Sequence, residues 1–534
     1  MKRLAGAVAA VLALWLALPA VARERPVVDT PAGALRGEVS GEIRIFRGVP
    51  YARPPVGELR WRPPVTLSRW DGLRDATRFG AACMQPPSPF YSHPAVSEDC
   101  LFLNIWAPAE AKRAPVLVWI HGGSLVSGAG SEAVADGARF ARQGVLVVSV
   151  NYRLGPLGWL AHPGLSAESS ENTSGNYGLL DQIEALRWVQ RNIAAFGGDP
   201  SNVTIAGQSA GALSVAYLLA APPARGLFQR AIAQSPYLIT MPELRHGRFR
   251  DWPDAETVGI AVASKLGAAD PAALRAMSAE AVIRGVGKTG YFPLGTVDGK
   301  ILPRQLVEVL DRREQAPVPI LTGYNEGEIR SLRFLLPPAP KDAAIYSGEI
   351  RARYGDLADA FLAQYPDGNI TESMLATTRD ALYGWSAERL AAGQAAIGQP
   401  SFLYYFDHPY PAADAGGLRA FHGAEMPFVF GTTGSTPAWW PAVPRTALER
   451  RLSDAMLDYW ASFVRDGIPR AEGETPWRPY GQGRPYIAFE DIPRQRLGPP
   501  NAYALHENIV TQRRARGIAW NWNVGIIAPP ALQP

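Results

Sequence analysis

Short runs of consecutive apolar residues punctuate the chain at 101–107, 116–120, 145–150, 203–206, 232–234, 320–323 and 402–406. Runs of this length without strict alternation predict strands buried on both faces. Between them lie segments with helical spacing. Over 178–196, Leu179, Leu180, Ile183, Leu186, Trp188, Val189 and Ile193 approximate one apolar face. Strands alternating with helices predict an α/β fold, a mostly parallel sheet covered on both sides by helices. The opening, from 27 to about 46, predicts instead a few short antiparallel strands. Two stretches, 237–315 and 330–400, carry helical patterns with little strand character and predict cap insertions over the sheet. No internal repeat and no linker-like tract divides the chain. Residues 23–534 therefore read as one large domain with a cap.

The first 22 residues stand apart. Lys2 and Arg3 precede an uncharged apolar stretch that ends in Ala20-Val21-Ala22, followed by Arg23 and Glu24. A positive start, an apolar middle and a small-x-small site predict a secretory signal peptide, 1–22, cleaved after Ala22. The protein is then expected to be secreted or periplasmic, with no membrane segment left after cleavage. Only six of the 53 basic residues are Lys, a bias that points to a GC-rich bacterial genome. Removing the signal leaves 51 basic against 49 acidic side chains, a balance that gives no basic face for nucleic acid. The densest basic run, Arg513-Arg514-Ala515-Arg516, reads as a solvated helix end. Export also makes the cysteines informative. Cys83 and Cys100 are the two in the chain, and an oxidising compartment lets them pair. Two cysteines so far apart, without neighbouring His, make a poor zinc site.

Candidate chemistry centres on Ala206-Gly207-Gln208-Ser209-Ala210-Gly211-Ala212, a Gly-x-Ser-x-Gly between an apolar strand and an Ala- and Leu-rich helix. The pattern has a steric cause: a serine raised on a sharp strand-to-helix turn needs neighbours two before and two after without Cβ atoms. Ser209 is the candidate nucleophile, and its hydroxyl needs a base held by an acid. In strand–turn–helix hydrolases of this kind the acid and then the histidine follow the serine, so His246, His408, His422 and His506 are in play. His422 stands in a Gly-bearing loop, whereas His408 and His506 read as surface or structural residues. Glu326 and Glu328 both lie just beyond the strand at 320–323, and their spacing does not choose between them. A second glycine pattern, Gly285-Val286-Gly287-Lys288-Thr289-Gly290, lacks the upstream glycine and the following helix of a phosphate loop. Nothing in the chain implies a cofactor or a metal.

With these residues in view, the chain resembles the type-B carboxylesterase family, the α/β-hydrolases that include cholinesterases, liver carboxylesterases and bacterial p-nitrobenzyl esterases. The likeness rests on Phe46-Arg47-Gly48-Val49-Pro50-Tyr51-Ala52, Glu98-Asp99-Cys100-Leu101-Phe102-Leu103-Asn104, Asn151-Tyr152-Arg153-Leu154-Gly155 and Phe196-Gly197-Gly198-Asp199-Pro200, in that order before the serine turn. It covers nearly the whole chain. The resemblance implies an α/β-hydrolase fold and hydrolysis of a small-molecule carboxylic ester, with Ser209, Glu328 and His422 as the catalytic residues. It implies an oxyanion hole from the amides of Gly123, Ser124 and Ala210, with His121 shaping the loop, and it too pairs Cys83 with Cys100. Ser124 departs from the family's common three-glycine form, which puts access for bulky alcohols in question. Some members have lost the serine and serve as binding or adhesion proteins, and an interfacial lipase is a third reading. Retention of all three positions favours the esterase.

Overall fold

Residues 25–88, 95–250 and 252–531 are described by the structure, a computed structural model. The expected signal peptide lies outside them. Each apolar run becomes a strand of one 11-stranded sheet. In chain order these are β1 (Glu38–Ser40), β2 (Ile43–Pro50), β3 (Phe102–Pro108), β4 (Ala114–Ile120), β5 (Leu146–Val150) and β6 (Gly198–Gln208), then β7 (Arg230–Gln234), β8 (Ile320–Asn325), β9 (Ser401–Phe406), β10 (Pro485–Phe489) and β11 (Pro493–Leu497). Across the sheet the order is β1-β2-β3-β5-β4-β6-β7-β8-β9-β10-β11. The strands from β5 to β10 across this order pair in parallel, while β1, β2, β3 and β11 are antiparallel additions at the two edges. Every residue of β5, β8 and β9 is buried, as two-sided coverage requires.

From β4 the chain crosses to one side as β5 and returns on the other as β6. The carboxyl ends of β4 and β6 thus lie side by side where the strand order reverses, the place where open α/β sheets build binding sites. The remaining elements follow the sequence pattern closely. The opening forms an antiparallel pair, Val27–Thr30 with Gly33–Arg36, ahead of the β1–β2 hairpin. The helix expected over 178–196 runs from Tyr177 to Asn192 and ends in a 3₁₀ turn, Ile193–Phe196. Its Asp181 is buried and accepts from the Arg153 backbone and guanidinium at 2.7–3.0 Å. That pair ties the segment after β5 to the helix, and removing one partner would strand a buried charge.

Within 237–315 the helices are Ala255–Lys265, Pro271–Ala276, Ala279–Val286 and Leu306–Asp311, with irregular stretches around them, and 330–400 is helical over most of its length. In the second, helix Ile370–Thr378 passes through a π-helical turn, Arg379–Gly384, into helix Trp385–Ala395. One expectation is corrected. Arg513 is not solvated: it is 6% exposed, donates to Asn523 O and Oδ1, and lies 5.1 Å over the Trp520 ring. Its neighbour Arg514 pairs with Asp311 at 2.8 Å. The helix ends against the 519–523 segment, so Arg513 is used inside the fold while Arg516 stays exposed.

Cys83 and Cys100 form a buried disulfide across a separation of 17 residues. Closing a loop of that size restricts the unfolded chain by about 3 kcal/mol. The double variant Cys83→Ser/Cys100→Ser is therefore expected to lose about that much stability, read from its urea midpoint. An unchanged midpoint would show that the disulfide contributes nothing net. Among the described residues no helix is long and apolar enough to cross a membrane.

Candidate active site

At the end of β6 the backbone breaks sharply. Ser209 has φ 57° and ψ −122°, and helix Ala210–Ala220 begins at the next residue. A non-glycine residue holds such angles only where its surroundings enforce them. Here the enforcement is backbone: Ser209 N donates to Gln234 O on β7 at 2.9 Å, and Leu213 N donates to Ser209 O at 2.9 Å. The flanking glycines are needed for close approach. A Cβ on Gly207 would lie 2.4 Å from the Gly211 carbonyl carbon, and one on Gly211 would lie 2.1 Å from Ile120 O. Among the described residues the Ser209 hydroxyl makes no hydrogen bond.

Beside this turn, β4 continues into His121-Gly122-Gly123-Ser124. Gly123, Ser124 and Leu125 take positive φ in succession (95°, 57° and 60°), and the amides of Val126 and Ser127 close back on Gly123 O at 2.9 and 3.0 Å. Among the described residues the amides of Gly123, Ser124 and Ala210 donate to no acceptor. Amides left unpaired at a helix start and in a tight loop are the donors an oxyanion requires. His121 is buried, stacks on Tyr152 at 4.5 Å, and sits with Nδ1 2.9 Å from Gly122 O. Burial lowers its pKa to about 4, so it stays neutral and shapes the loop.

The two candidate acids are separated by their partners. Glu328 is fully buried: one carboxylate oxygen accepts from Asn325 N at 2.8 Å, and the other accepts from His422 Nδ1. Glu326 faces a different set, Arg419 at 3.0 Å with Arg330 and Arg379 at 3.8 Å. The acid loop and the histidine loop are joined directly, Gly327 N donating to Ala420 O at 2.8 Å and Asn325 Nδ2 to Phe421 O at 2.9 Å. The other histidines lie elsewhere. His246 is exposed, His408 bonds Asp491, and His506 bonds Tyr365 while burial lowers its pKa to about 3.

Three further residues around the Glu328–His422 pair are not singled out by the local sequence pattern. Gln208 Nε2 lies 3.3 Å from His422 Nε2; its position is one the serine motif leaves free. Tyr383, on the π-helical turn, places its ring 5.1 Å from the imidazole. Glu425 lies behind Glu328, accepting from Gln234 at 3.0 Å and Asn325 at 2.6 Å. Burial, and then the charge of Glu328, raise the Glu425 pKa to about 7.

The chain is similar to known proteins over most of its length. The model of the carboxylesterase family matches residues 24–498. A fumonisin B1 esterase from Sphingopyxis macrogoltabida is 35% identical over 465 residues, 84% of this chain and 84% of that protein. A phenmedipham hydrolase from Pseudarthrobacter oxydans is 36% identical over 491 residues, 87% of this chain and 94% of that protein. Among solved structures, a PNB esterase superposes with a TM-score of 0.78 at 31% identity, covering 90% of this chain and 99% of the other.

Proposed function

The chain belongs to the carboxylesterase family and is a carboxylic ester hydrolase, and on that premise we propose that it works through an acyl-enzyme on Ser209. His422 is the general base and then the general acid, and Glu328 holds the imidazole. Gly123, Ser124 and Ala210 supply the oxyanion donors. The observation that carries this reading is the pair of buried Glu328 with His422, at the same carboxyl end of the central strands as the strained serine turn. A neutral imidazole whose Nδ1–H is held by a carboxylate leaves Nε2 as the acceptor that a serine proton needs.

The reaction then follows. Ser209 Oγ attacks the ester carbon while its proton passes to His422 Nε2, and the carbonyl oxygen becomes an oxyanion under the loop amides. Collapse breaks the bond to the alcohol oxygen, which leaves with the proton from His422. Water repeats the sequence on the acyl-enzyme, releasing the acid and restoring Ser209. We also propose that 237–315 and 330–400 act as a cap over this end of the sheet and that the protein is exported after loss of residues 1–22. Labelling with a fluorophosphonate tests the mechanism. One adduct per chain on Ser209, with parallel loss of activity, is expected; an active enzyme that resists the label would defeat it, and an inert protein would favour a binding role.

The two named relatives act on different compounds, fumonisin B1 and phenmedipham, so selectivity rests on residues around the common chemistry. Ser124 is one of these. It is exposed and sits in the left-handed region at φ 57°, where a Cβ costs about 1 kcal/mol relative to glycine. We read it as crowding the alcohol side. Ser124→Gly is then expected to raise kcat/KM for a tert-butyl ester about tenfold relative to the matched n-butyl ester, about 1.4 kcal/mol of transition-state binding. An unchanged ratio in a folded variant would leave Ser124 as loop scaffolding.

A further inference from the structure

Gln208 spans the site from one loop to the other. Its side-chain oxygen lies on the Gly122 side, where a Cβ on that glycine would come within 3.4 Å of it. Its nitrogen lies by the histidine loop, 3.8 Å from where a Cβ on Gly423 would stand and beside the Trp440 ring edge that flanks the same position. The residue is buried. With the Nδ1 proton of His422 engaged by Glu328, the Nε2 lone pair is the acceptor, and Gln208 Nε2 at 3.3 Å is its donor.

We propose that Gln208 is a positioning residue for the hydrolysis, holding the resting imidazole in the tautomer that accepts the Ser209 proton while placing no charge beside it. This rests on the assignment of His422 as the base. In the resting enzyme the amide N–H occupies the lone pair and so excludes the wrong tautomer, in which Nε2 would carry the proton. When substrate arrives, the Ser209 hydroxyl replaces the amide on Nε2. Once the imidazolium forms, its Nε2–H faces a neutral group, so Glu328 supplies the carboxylate that stabilises it and the proton is readily passed to the leaving alcohol.

The groups facing His422 make this electrostatic role testable. Glu328 contacts Nδ1 from the acid loop. Tyr383 faces the ring from the π-helical turn, its hydroxyl pushed well above the usual range by burial and by Glu328, so it is neutral. Arg379 on the same turn is turned to Asp380 and Glu326. Glu425, on the histidine's own loop, is bonded to Asn325 and Gln234 behind Glu328. Trp440 carries no titratable group. A carboxylate at 208 would therefore be a second negative group in contact with the ring.

The test compares Gln208→Glu and Gln208→Met with the wild type. Glutamate has the same shape but cannot donate to the lone pair, and its charge favours the imidazolium. The acid limb of kcat/KM for a neutral p-nitrophenyl ester is expected to move up by about one unit or more, and the acid limb of fluorophosphonate labelling should move with it. At high pH the variant should recover to within about tenfold of wild type. Methionine keeps the volume and removes the donor, so kcat should fall while KM and the melting temperature hold. A side chain that merely packs would lower the rate at every pH without shifting the limb. An unmoved limb in Gln208→Glu, or a wild-type kcat in Gln208→Met, would overturn the proposal. Failure of the wild type to label at Ser209 would instead remove the base assignment beneath it, which separates the two outcomes.

Discussion

Ser209→Ala should lose turnover of a p-nitrophenyl ester by about four orders of magnitude or more while melting at the wild-type temperature. The two halves of that expectation have separate causes. Activity falls because the attacking hydroxyl is gone: the turn holds residue 209 at φ 57° at the carboxyl end of β6. Residual catalysis from the loop amides would remain, as donors still polarise a bound carbonyl. Stability is retained because the hydrogen bonds that hold the turn are made by the backbone, Ser209 N to Gln234 O and Leu213 N to Ser209 O, and alanine preserves both. The hydroxyl makes no capping bond to the helix that follows, so its loss costs nothing there. Fluorophosphonate should no longer attach. A variant that keeps near-wild-type kcat would move the nucleophile elsewhere, whatever its melting temperature.

A feature is legible in the sequence when its physical cause lies close along the chain. The strands of the sheet centre show themselves because burial on both faces makes each a continuous apolar run. The last two, Pro485–Phe489 and Pro493–Leu497, escape notice for opposite reasons. The first is a short apolar stretch entered through proline; the second is an edge strand whose Arg494, Gln495 and Arg496 look like a loop. The serine turn is legible because its sterics demand glycine at two fixed offsets, and those glycines meet each other and the end of β4 as expected. Nothing local separates Glu326 from Glu328. The difference comes from Arg330, Arg379 and Arg419, which arrive from a loop, a helix and the approach to His422. Only the family pattern anticipated that outcome. The π-helical turn that carries Tyr383 has no periodic signature, and Gln208 occupies a position that any residue satisfies as far as the turn is concerned.

That division between the two glutamates sets the second large effect. Glu328→Gln is expected to lower kcat about 10³- to 10⁴-fold, whereas Glu326→Gln should stay within about tenfold of wild type. At 328 the amide oxygen will keep the hydrogen bond from Asn325 N, because that position offers only a donor. The amide nitrogen must then face His422 Nδ1, and two donors cannot share the contact. Moving the imidazole proton to Nε2 relieves that contact only by setting an N–H against the Gln208 amide, and in that form Nε2 can no longer accept from Ser209. The defect is thus one of tautomer as well as charge, and it should appear in kcat at every pH. At 326 the consequence differs in kind. Three guanidinium groups lose a carboxylate that joins the acid loop, the π-helical turn and the approach to the histidine, which should cost about 2 kcal/mol of stability and leave the Glu328–His422 pair intact. Measuring kcat and melting temperature for both variants separates the roles. Should Glu326→Gln prove the more damaging to kcat, the acid would belong at 326 and the buried carboxylate at 328 would be structural.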